Sequence, residues 1–213
     1  MKLFPTLFLA AGFAFAALPV SAQVTAPGTN PLGTDAPAGT YSIDPTHASV
    51  TFKVAHLGLS SYTARFTKID ATLKFDPAHP EGAKLTVSID PASIRTDYPF
   101  PEKENFDKVL AESDKWFNAG KFKAITFAST GIKMTGDKTA DVTGTLTLLG
   151  VAKPVTMKVT FNKGYASHPM SKKAALGFSG TATVKRSEFG MTNLVPFVGD
   201  DVAVLIEAEL SGG

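Results

Sequence analysis

Histidine is the side chain best suited to acid–base or metal chemistry at neutral pH, because its ring titrates there and its neutral form binds metal ions. The sequence contains four of them: His47, His56, His79 and His168. No two have the close spacing of a helical metal pair, and none clusters along the chain with carboxylates in a ligand pattern. The sequence therefore predicts no metal site.

His56 is the histidine whose position is most informative. It shares the parity of Phe52 and Val54, so we expect it at the end of a row of side chains that face the interior. A histidine on an apolar face is more often a hydrogen-bonded core residue than a ligand contact. The sequence alone leaves both interpretations of His56 open.

Motifs for catalysis are missing from the sequence. It has no Gly-x-Ser-x-Gly elbow and no phosphate-binding loop of the Walker or dinucleotide type. The carboxylate pairs Asp200–Asp201 and Glu102 with Glu104 fall in a turn and at a helix start, where solvation explains them. We therefore expect no catalytic residue and no enzyme, with an extracytoplasmic hydrolase as the enzymatic alternative.

The composition excludes several other classes of function. Of 213 residues, 44% are hydrophobic and 19% charged, which favours a compact domain over a disordered chain. Lys and Arg number 21 against 19 Asp and Glu, and this balance does not suit a nucleic-acid partner. Because the chain has no Cys, disulfides, thiolate zinc sites, iron–sulfur clusters and cysteine nucleophiles are excluded.

The N-terminus has the pattern of a secretory signal peptide. Lys2 precedes an apolar run over residues 7–18, and the small-residue sequence Pro19-Val20-Ser21-Ala22 follows. The run is shorter than the roughly 20 residues that a membrane-spanning helix needs. We predict a signal peptide over residues 1–22, cleavage after Ala22 and a periplasmic location.

The rest of the chain divides into a linker and one domain. Residues 23–39 are rich in Pro and Gly and predict a flexible linker. Over residues 40–213, apolar and polar side chains alternate with a period of two, which indicates strands with one buried face. A change of parity near Thr67–Lys68 predicts a β-bulge. Eight strands are predicted, near residues 40–56, 60–76, 82–90, 121–134, 139–149, 153–164, 173–186 and 201–210.

One segment has helical periodicity instead. Between Pro101 and Phe117 the apolar residues recur at helical spacing, which predicts one amphipathic helix that packs on the core. Antiparallel strands with a single helix favour either a β-sandwich or a closed up-and-down barrel. A barrel of about eight strands is either filled by its own side chains or holds one small ligand. The 16 Phe residues, of which four lie in the predicted signal peptide, suit a packed core and a lined cavity alike.

Four motifs in order resemble the YceI-like family of secreted, lipocalin-like proteins. The first motif is Tyr41-x-Ile43-Asp44-Pro45-x-His47-x-Ser49-Val50-x-Phe52-x-Val54-x-His56. The others are Ile125-Thr126-Phe127-Ala128-Ser129-Thr130, Gly144-x-Leu146-Thr147-x-x-Gly150-Val151-x-x-Pro154-Val155 and Arg186-Ser187-x-Phe189-Gly190. The match spans about residues 39–210, and four ordered motifs are much more specific than one.

The resemblance implies an all-β fold, an eight-stranded antiparallel lipocalin-like barrel with one amphipathic helix between the third and fourth strands. It also implies an apolar tunnel that binds long-chain isoprenoid lipids, namely polyprenyl phosphates, isoprenoid quinones or their precursors, without catalytic residues or a cofactor. The sequence departs from the family at two positions near the helix. Phe106 precedes Asp107 where the family has an Arg-Asp pair, and Lys123 replaces a Pro before the fourth strand.

The resemblance and the strand parity together give a set of candidate ligand contacts. His56, Tyr62 and Arg186 are the polar candidates for a head group at the tunnel mouth. The full set is Phe52, Val54, His56, Tyr62, Phe66, Leu73, Phe106, Leu110, Trp116, Phe127, Leu146, Phe178 and Arg186. A second alternative function is that of an interaction partner for a membrane electron-transfer protein, and a homodimer is a further expectation.

Overall fold

The computed structural model describes residues 30–212, which consist mainly of long strands. The predicted signal peptide and the first part of the predicted linker lie outside the described residues. The strands are β1 Gly39–His56, β2 Ser60–Phe66, β3 Ile69–Phe75, β4 Lys84–Ile89, β5 Ile94–Arg95, β6 Ile125–Met134, β7 Thr139–Leu148, β8 Val151–Tyr165, β9 Ala175–Lys185 and β10 Val198–Gly212, and the α-helix is α1 Phe106–Glu112. Within residues 30–212, no helix has both the length and the apolar character needed to cross a membrane.

The strands form a closed antiparallel barrel. Each long strand pairs with its neighbour in the order β10-β9-β8-β7-β6-β4-β3-β1-β2, and β10 also pairs with β1, for example Ile206 opposite Val50. The first part of β1 pairs with β3 and its last part with β2, so β2 and β3 together make one barrel strand. The barrel therefore has eight strands, and the predicted fold class is confirmed. The choice between a sandwich and a barrel, left open by the strand pattern, is settled by the β1–β10 pairing.

The predicted irregularity near Thr67–Lys68 is present as a break between β2 and β3. The hydroxyl oxygen of Ser93 accepts hydrogen bonds from the backbone N–H of Thr67 at 3.2 Å and of Lys68 at 3.0 Å. The same hydroxyl donates to the carbonyl of Asp90 at 2.7 Å. A buried serine thus satisfies the backbone groups that leave the β-ladder at this point.

The helix lies between the third and fourth barrel strands, as predicted, but it is much shorter than residues 101–117. The side chain of Asn105 caps its start by accepting a hydrogen bond from the N–H of Lys108 at 3.0 Å. The helix ends at Glu112, and the chain then turns back, with the N–H of Phe117 donating to the carbonyl of Leu110 at 3.1 Å. Trp116 and Phe117 therefore contact the core from a turn. Their spacing from the apolar residues of the helix is also helical, which is why the sequence predicts a longer helix.

The connections between strands gather at two opposite ends of the barrel. We call one the mouth end; it holds residues 57–59, 90–124, 149–150 and 186–197. The other, the base end, holds residues 30–38, 76–83, 135–138 and 166–174.

Residues 30–38 differ from the predicted flexible linker, because they pack against the base end. Leu32 and Ala36 are each only 3% exposed and lie in a core cluster with Tyr41 and Phe161. The carboxylate of Asp35 accepts a hydrogen bond from the N–H of Ala166 at 3.0 Å. One leucine and a few polar anchors are enough to fix a segment whose composition is otherwise that of a linker.

Candidate ligand-binding cavity

The barrel encloses a cavity of about 680 Å³. Because side chains alternate across each strand, one face of every barrel strand supplies residues to the cavity wall. Nearly all of these residues are apolar. The volume lies within the range of roughly 300–1,000 Å³ that is typical of small-molecule sites.

All thirteen predicted contact residues lie on the wall of this cavity. They are Phe52, Val54, His56, Tyr62, Phe66, Leu73, Phe106, Leu110, Trp116, Phe127, Leu146, Phe178 and Arg186. Strand parity located most of them, since inward-facing positions of a closed barrel share one interior. Ligand contact by these residues stays a prediction.

The cavity exists because small side chains line the middle of the barrel. Gly180 and Ala182 face inward from the centre of β9, and Gly180 lies opposite Ile206 of β10. The aromatic residues instead gather toward the two ends. At the base end, the rings of Phe75 and Phe161 stack with centroids 6.2 Å apart. The phenylalanines thus both pack with one another and line the space that the small residues leave.

The base end of the cavity is covered by packed residues. Leu32, which is 3% exposed, lines the cavity there together with Phe75 and Phe161. The hydroxyl of Tyr41 donates to the carbonyl of Pro37 at 2.5 Å and ties the N-terminal segment to β1. Burial raises the pKa of the Tyr41 phenol, so this hydroxyl keeps its proton at neutral pH.

The mouth end reaches the protein surface. Leu194 lines the cavity and is nevertheless 54% exposed, and His56, which also lines the cavity, is exposed too. Helix α1 covers another part of this end, where Leu110 and Ala111 are buried against Val50. The cavity is therefore a tunnel with an accessible mouth end and a base end that buried apolar residues cover, with the exposed Lys138 at its margin.

Asp107 holds helix α1 in place across the mouth end. One oxygen of its carboxylate accepts hydrogen bonds from the backbone N–H of Thr96 at 2.8 Å and from the Thr96 hydroxyl at 2.6 Å. The preceding residue, Phe106, points to the cavity wall and packs edge-on against Tyr62 with ring centroids 6.0 Å apart. Burial raises the pKa of Tyr62, so its phenol is neutral at neutral pH. An apolar ring thus occupies the position where the resemblance implies an arginine.

Arg186 is buried in the cavity wall, with 3% of its surface exposed. Its guanidinium donates hydrogen bonds to three backbone carbonyls: Gly199 at 2.7 Å, Val198 at 2.8 Å and Met191 at 3.0 Å. Burial lowers the pKa of Arg186 from its ordinary value, and the nearby charge of Asp200 opposes this shift. The structure therefore gives Arg186 a definite architectural function: it fixes the loop before β10 at the mouth end.

A cluster that the sequence did not indicate lies outside the cavity. His47 Nδ1 lies 3.0 Å from Asp44 Oδ2 and 3.9 Å from Glu209 Oε2; His47 and Glu209 are exposed and Asp44 is half-buried. Hydrogen bonds from Thr46 and His47 lower the pKa of Asp44 to about 2, and Asp44 in turn raises the pKa of His47. The β1–β10 pairing brings Glu209 to His47 over a register shift between Ile43 and Ala48. Glu209 is in the last strand, so this cluster has no ligand spacing along the chain, and the expectation of no metal site stays a prediction.

The sequence matches a family model described as the YceI-like domain over residues 41–210. A UPF0312 protein of Pseudomonas savastanoi pv. phaseolicola is 41% identical over 156 residues, which cover 72% of this chain and 77% of the relative. A UPF0312 protein of Ectopseudomonas mendocina is 36% identical over 184 residues, covering 85% of this chain and 92% of the relative.

Solved structures share the architecture. BcnA of Burkholderia cenocepacia superposes with a TM-score of 0.67 at 27% identity, over 78% of this chain and 98% of BcnA. The YceI protein of Campylobacter jejuni gives a TM-score of 0.65 at 29% identity, over 76% of this chain and 91% of that protein. A polyisoprenoid binding domain from Saccharophagus degradans gives 0.59 at 15% identity, over 81% and 98% of the two chains, a likeness of fold alone.

Proposed function

Because the chain belongs to the YceI-like family, we propose that it binds and carries long-chain isoprenoid lipids in the tunnel of its barrel. The observation that carries this proposal is the cavity of about 680 Å³, which has apolar walls and one accessible end. Such a shape suits an elongated apolar molecule with a polar group at one end. A structural relative is itself described as a polyisoprenoid binding domain, which agrees with this ligand class.

The affinity of such a site comes from the removal of hydrocarbon from water. Each buried CH₂ group contributes about 0.8 kcal/mol, so every additional isoprene unit inside the tunnel adds a few kcal/mol until the space is filled. The small residues Gly180 and Ala182 are essential to this account, since they leave the centre of the barrel open. The proposal therefore predicts selection by chain length.

The head group of the lipid is proposed to lie at the mouth end. His56 and Tyr62 line the accessible part of the tunnel there and offer polar atoms to a carbonyl, hydroxyl or phosphate. Each nitrogen of Arg186 already donates to a backbone carbonyl, so its main contribution is positive charge close to the head group. Polyprenyl phosphates, isoprenoid quinones and quinone precursors all fit this arrangement.

The proposed location is the periplasm, on the strength of the signal peptide predicted over residues 1–22 with cleavage after Ala22. A carrier in that compartment would receive its lipid from a membrane and deliver it to another site. A transient partner such as a membrane electron-transfer protein suits a quinone cargo, and a pull-down from membranes would separate that function from free shuttling.

A hydrolase is the weaker alternative. Catalysis by general acids, bases or nucleophiles needs such groups to converge in the site. In the described part of the chain, the charged and histidine side chains that border the cavity are spread along it: His56 and Arg186 lie at the mouth end and Lys138 lies at the base end. Glu207 lies between them on β10, but it is an exposed residue whose carboxylate accepts a hydrogen bond from the Ser179 hydroxyl at 2.6 Å. The geometry favours binding over catalysis.

Native mass spectrometry tests the proposal on mature protein purified from its own periplasm, followed by organic extraction of anything released. The expected result is a stoichiometric isoprenoid lipid. The same protein, stripped of lipid, should take up an added isoprenoid quinone, which should quench Trp116, the only tryptophan of the chain and a residue of the tunnel wall. A protein of bare polypeptide mass that also fails to take up isoprenoids would refute the carrier function.

A further inference from the structure

The mouth end carries an unusual concentration of exposed apolar side chains. We call five of them the apolar rim: Leu57, Leu59, Leu194, Val195 and Phe197. Two of these are especially exposed, Leu59 at 83% and Phe197 at 66%. Large hydrophobic residues scattered singly are ordinary on a soluble protein, but a contiguous group marks an interaction surface.

The rim is one surface because its two loops are joined. The backbone N–H of Leu57 donates to the carbonyl of Phe197 at 2.7 Å, and His56 pairs with Val198 at the start of β10. The exposed ring of Phe100 packs on Tyr98, which packs on Phe106 at the tunnel wall, but its loop also carries Glu102 and Lys103 and is not counted as part of the rim.

The rim continues directly into the tunnel at Leu194. Leu194 belongs to both, because it is 54% exposed and lines the cavity. Among the described residues, the base end has no comparable group of exposed apolar side chains. Met170 is the large hydrophobic residue that is exposed there. Apolar surface is therefore placed around the accessible end of the tunnel and not around its covered end.

The chemistry of the rim suits the apolar part of a bilayer. Residues 57–61 and 189–199, which carry the rim, contain no Asp, Glu, Lys or Arg. Insertion of these loops among acyl chains would thus bury no charged side chain, and buried charge is the main obstacle to entering a membrane. A protein partner would more commonly be met by a polar margin with charges that fix its orientation.

We infer that the apolar rim docks the mouth of the barrel onto a lipid bilayer. The inference rests on the proposed function, because a lipid tail could then pass between the bilayer and the tunnel without crossing water. The binding energy comes from the inserted apolar area, so binding to neutral phospholipid should persist when salt screens charges.

Vesicle flotation tests this inference with phosphatidylcholine vesicles and the mature protein. We expect wild-type protein to float with the vesicles. The double variant L59D/F197D should bind the vesicles at least about tenfold more weakly. The control is M170D, which places one aspartate on the 85% exposed methionine of the base end and should float like wild type. Failure of wild type to float, or equal flotation of L59D/F197D, would overturn the inference.

Two further measurements separate bilayer docking from misfolding of the variant and from dimerisation of the chain. Leu59 and Phe197 do not line the tunnel, so L59D/F197D should still quench Trp116 normally with a soluble, short-tailed ubiquinone analogue in the absence of vesicles. Normal quenching shows that the variant is folded, whereas loss of quenching in wild type would count against the proposed function and not against docking. Sedimentation that shows a wild-type dimer and a monomeric L59D/F197D would overturn bilayer docking in favour of a second copy of the chain.

Discussion

The guanidinium carbon of Arg186 lies 5.8 Å from the centroid of the Trp116 ring. This cation–π contact joins the loop that follows β9 to the turn that follows helix α1, the two longest connections of the mouth end. Because the guanidinium also donates to the carbonyls of Met191, Val198 and Gly199, one side chain links the helix region to the start of the last strand.

Replacement of Arg186 should destabilise the protein strongly. R186M leaves three carbonyls without their donors and should lower the free energy of unfolding by about 2–4 kcal/mol, and R186K should recover only part of this. The control is K185M, which removes an exposed lysine paired with Asp200 and Asp201 and should cost less than about 1 kcal/mol. Urea unfolding followed by Trp116 emission measures both, and equal losses in R186M and K185M would contradict the assigned function of Arg186.

Filling the tunnel should abolish lipid uptake without unfolding the barrel. A182F places a ring in the open centre of the cavity and should weaken isoprenoid binding at least about tenfold, because the tail and the ring compete for one space. T183F adds the same ring to the exposed face of the same strand and should bind normally. Quenching of Trp116 by an isoprenoid quinone measures both, and unchanged binding in A182F would place the lipid elsewhere.

Gly144 has a steric explanation in the structure. A Cβ atom at this position would overlap the ring of Phe127 and the carbonyl oxygen of Ala128, so G144A should lower stability by about 1–3 kcal/mol or more. Gly131 in the neighbouring strand has no heavy atom within 4 Å of the same added atom, and G131A should therefore be close to neutral. Thermal unfolding of the two variants is the test. A melting temperature of G144A equal to that of wild type would show that the strand can shift to accept the added Cβ atom.

Asp44 should make stability depend on acid. Its pKa is lowered from 3.8 to about 2 by hydrogen bonds from Thr46 and His47 in the folded protein, so its contribution is complete above pH 3.8. That contribution is lost as the pH falls through about 2. Because Asp44 also raises the pKa of His47 from 6.5, the difference in melting temperature between wild type and D44N should be largest between pH 3.8 and 6.5 and shrink as the pH falls through about 2. Circular dichroism melts would show a constant difference if the hydrogen bonds were absent in solution.

The strand pattern was sufficient to predict which strand residues face the interior. Alternation placed residues such as Val54, Leu73 and Phe178 on the inner face, and closure of the sheet gave them a common interior. Parity also located the break near Thr67–Lys68, although not the buried Ser93 that stabilises it.

The features that sequence could not predict depend on contacts between distant segments. The sequence around Leu32 has the composition of a linker, and its burial with Tyr41 and Phe161 is visible only in the fold. The spacing of Trp116 suggested a longer helix, because a tight turn can repeat helical spacing without helical hydrogen bonds. Glu209 becomes a neighbour of His47 only through pairing of the first and last strands.

The pairing of β1 with β10 also governs when the native state can form. The two strands are 18 and 15 residues long, and they lie at opposite ends of the domain sequence. Contacts of such large sequence separation form slowly, because the chain must first lose the entropy of a very large loop. The ribosome must therefore release the last strand before the barrel can close, and a chain truncated before Val198 would leave β1 as an unpaired edge exposed to aggregation.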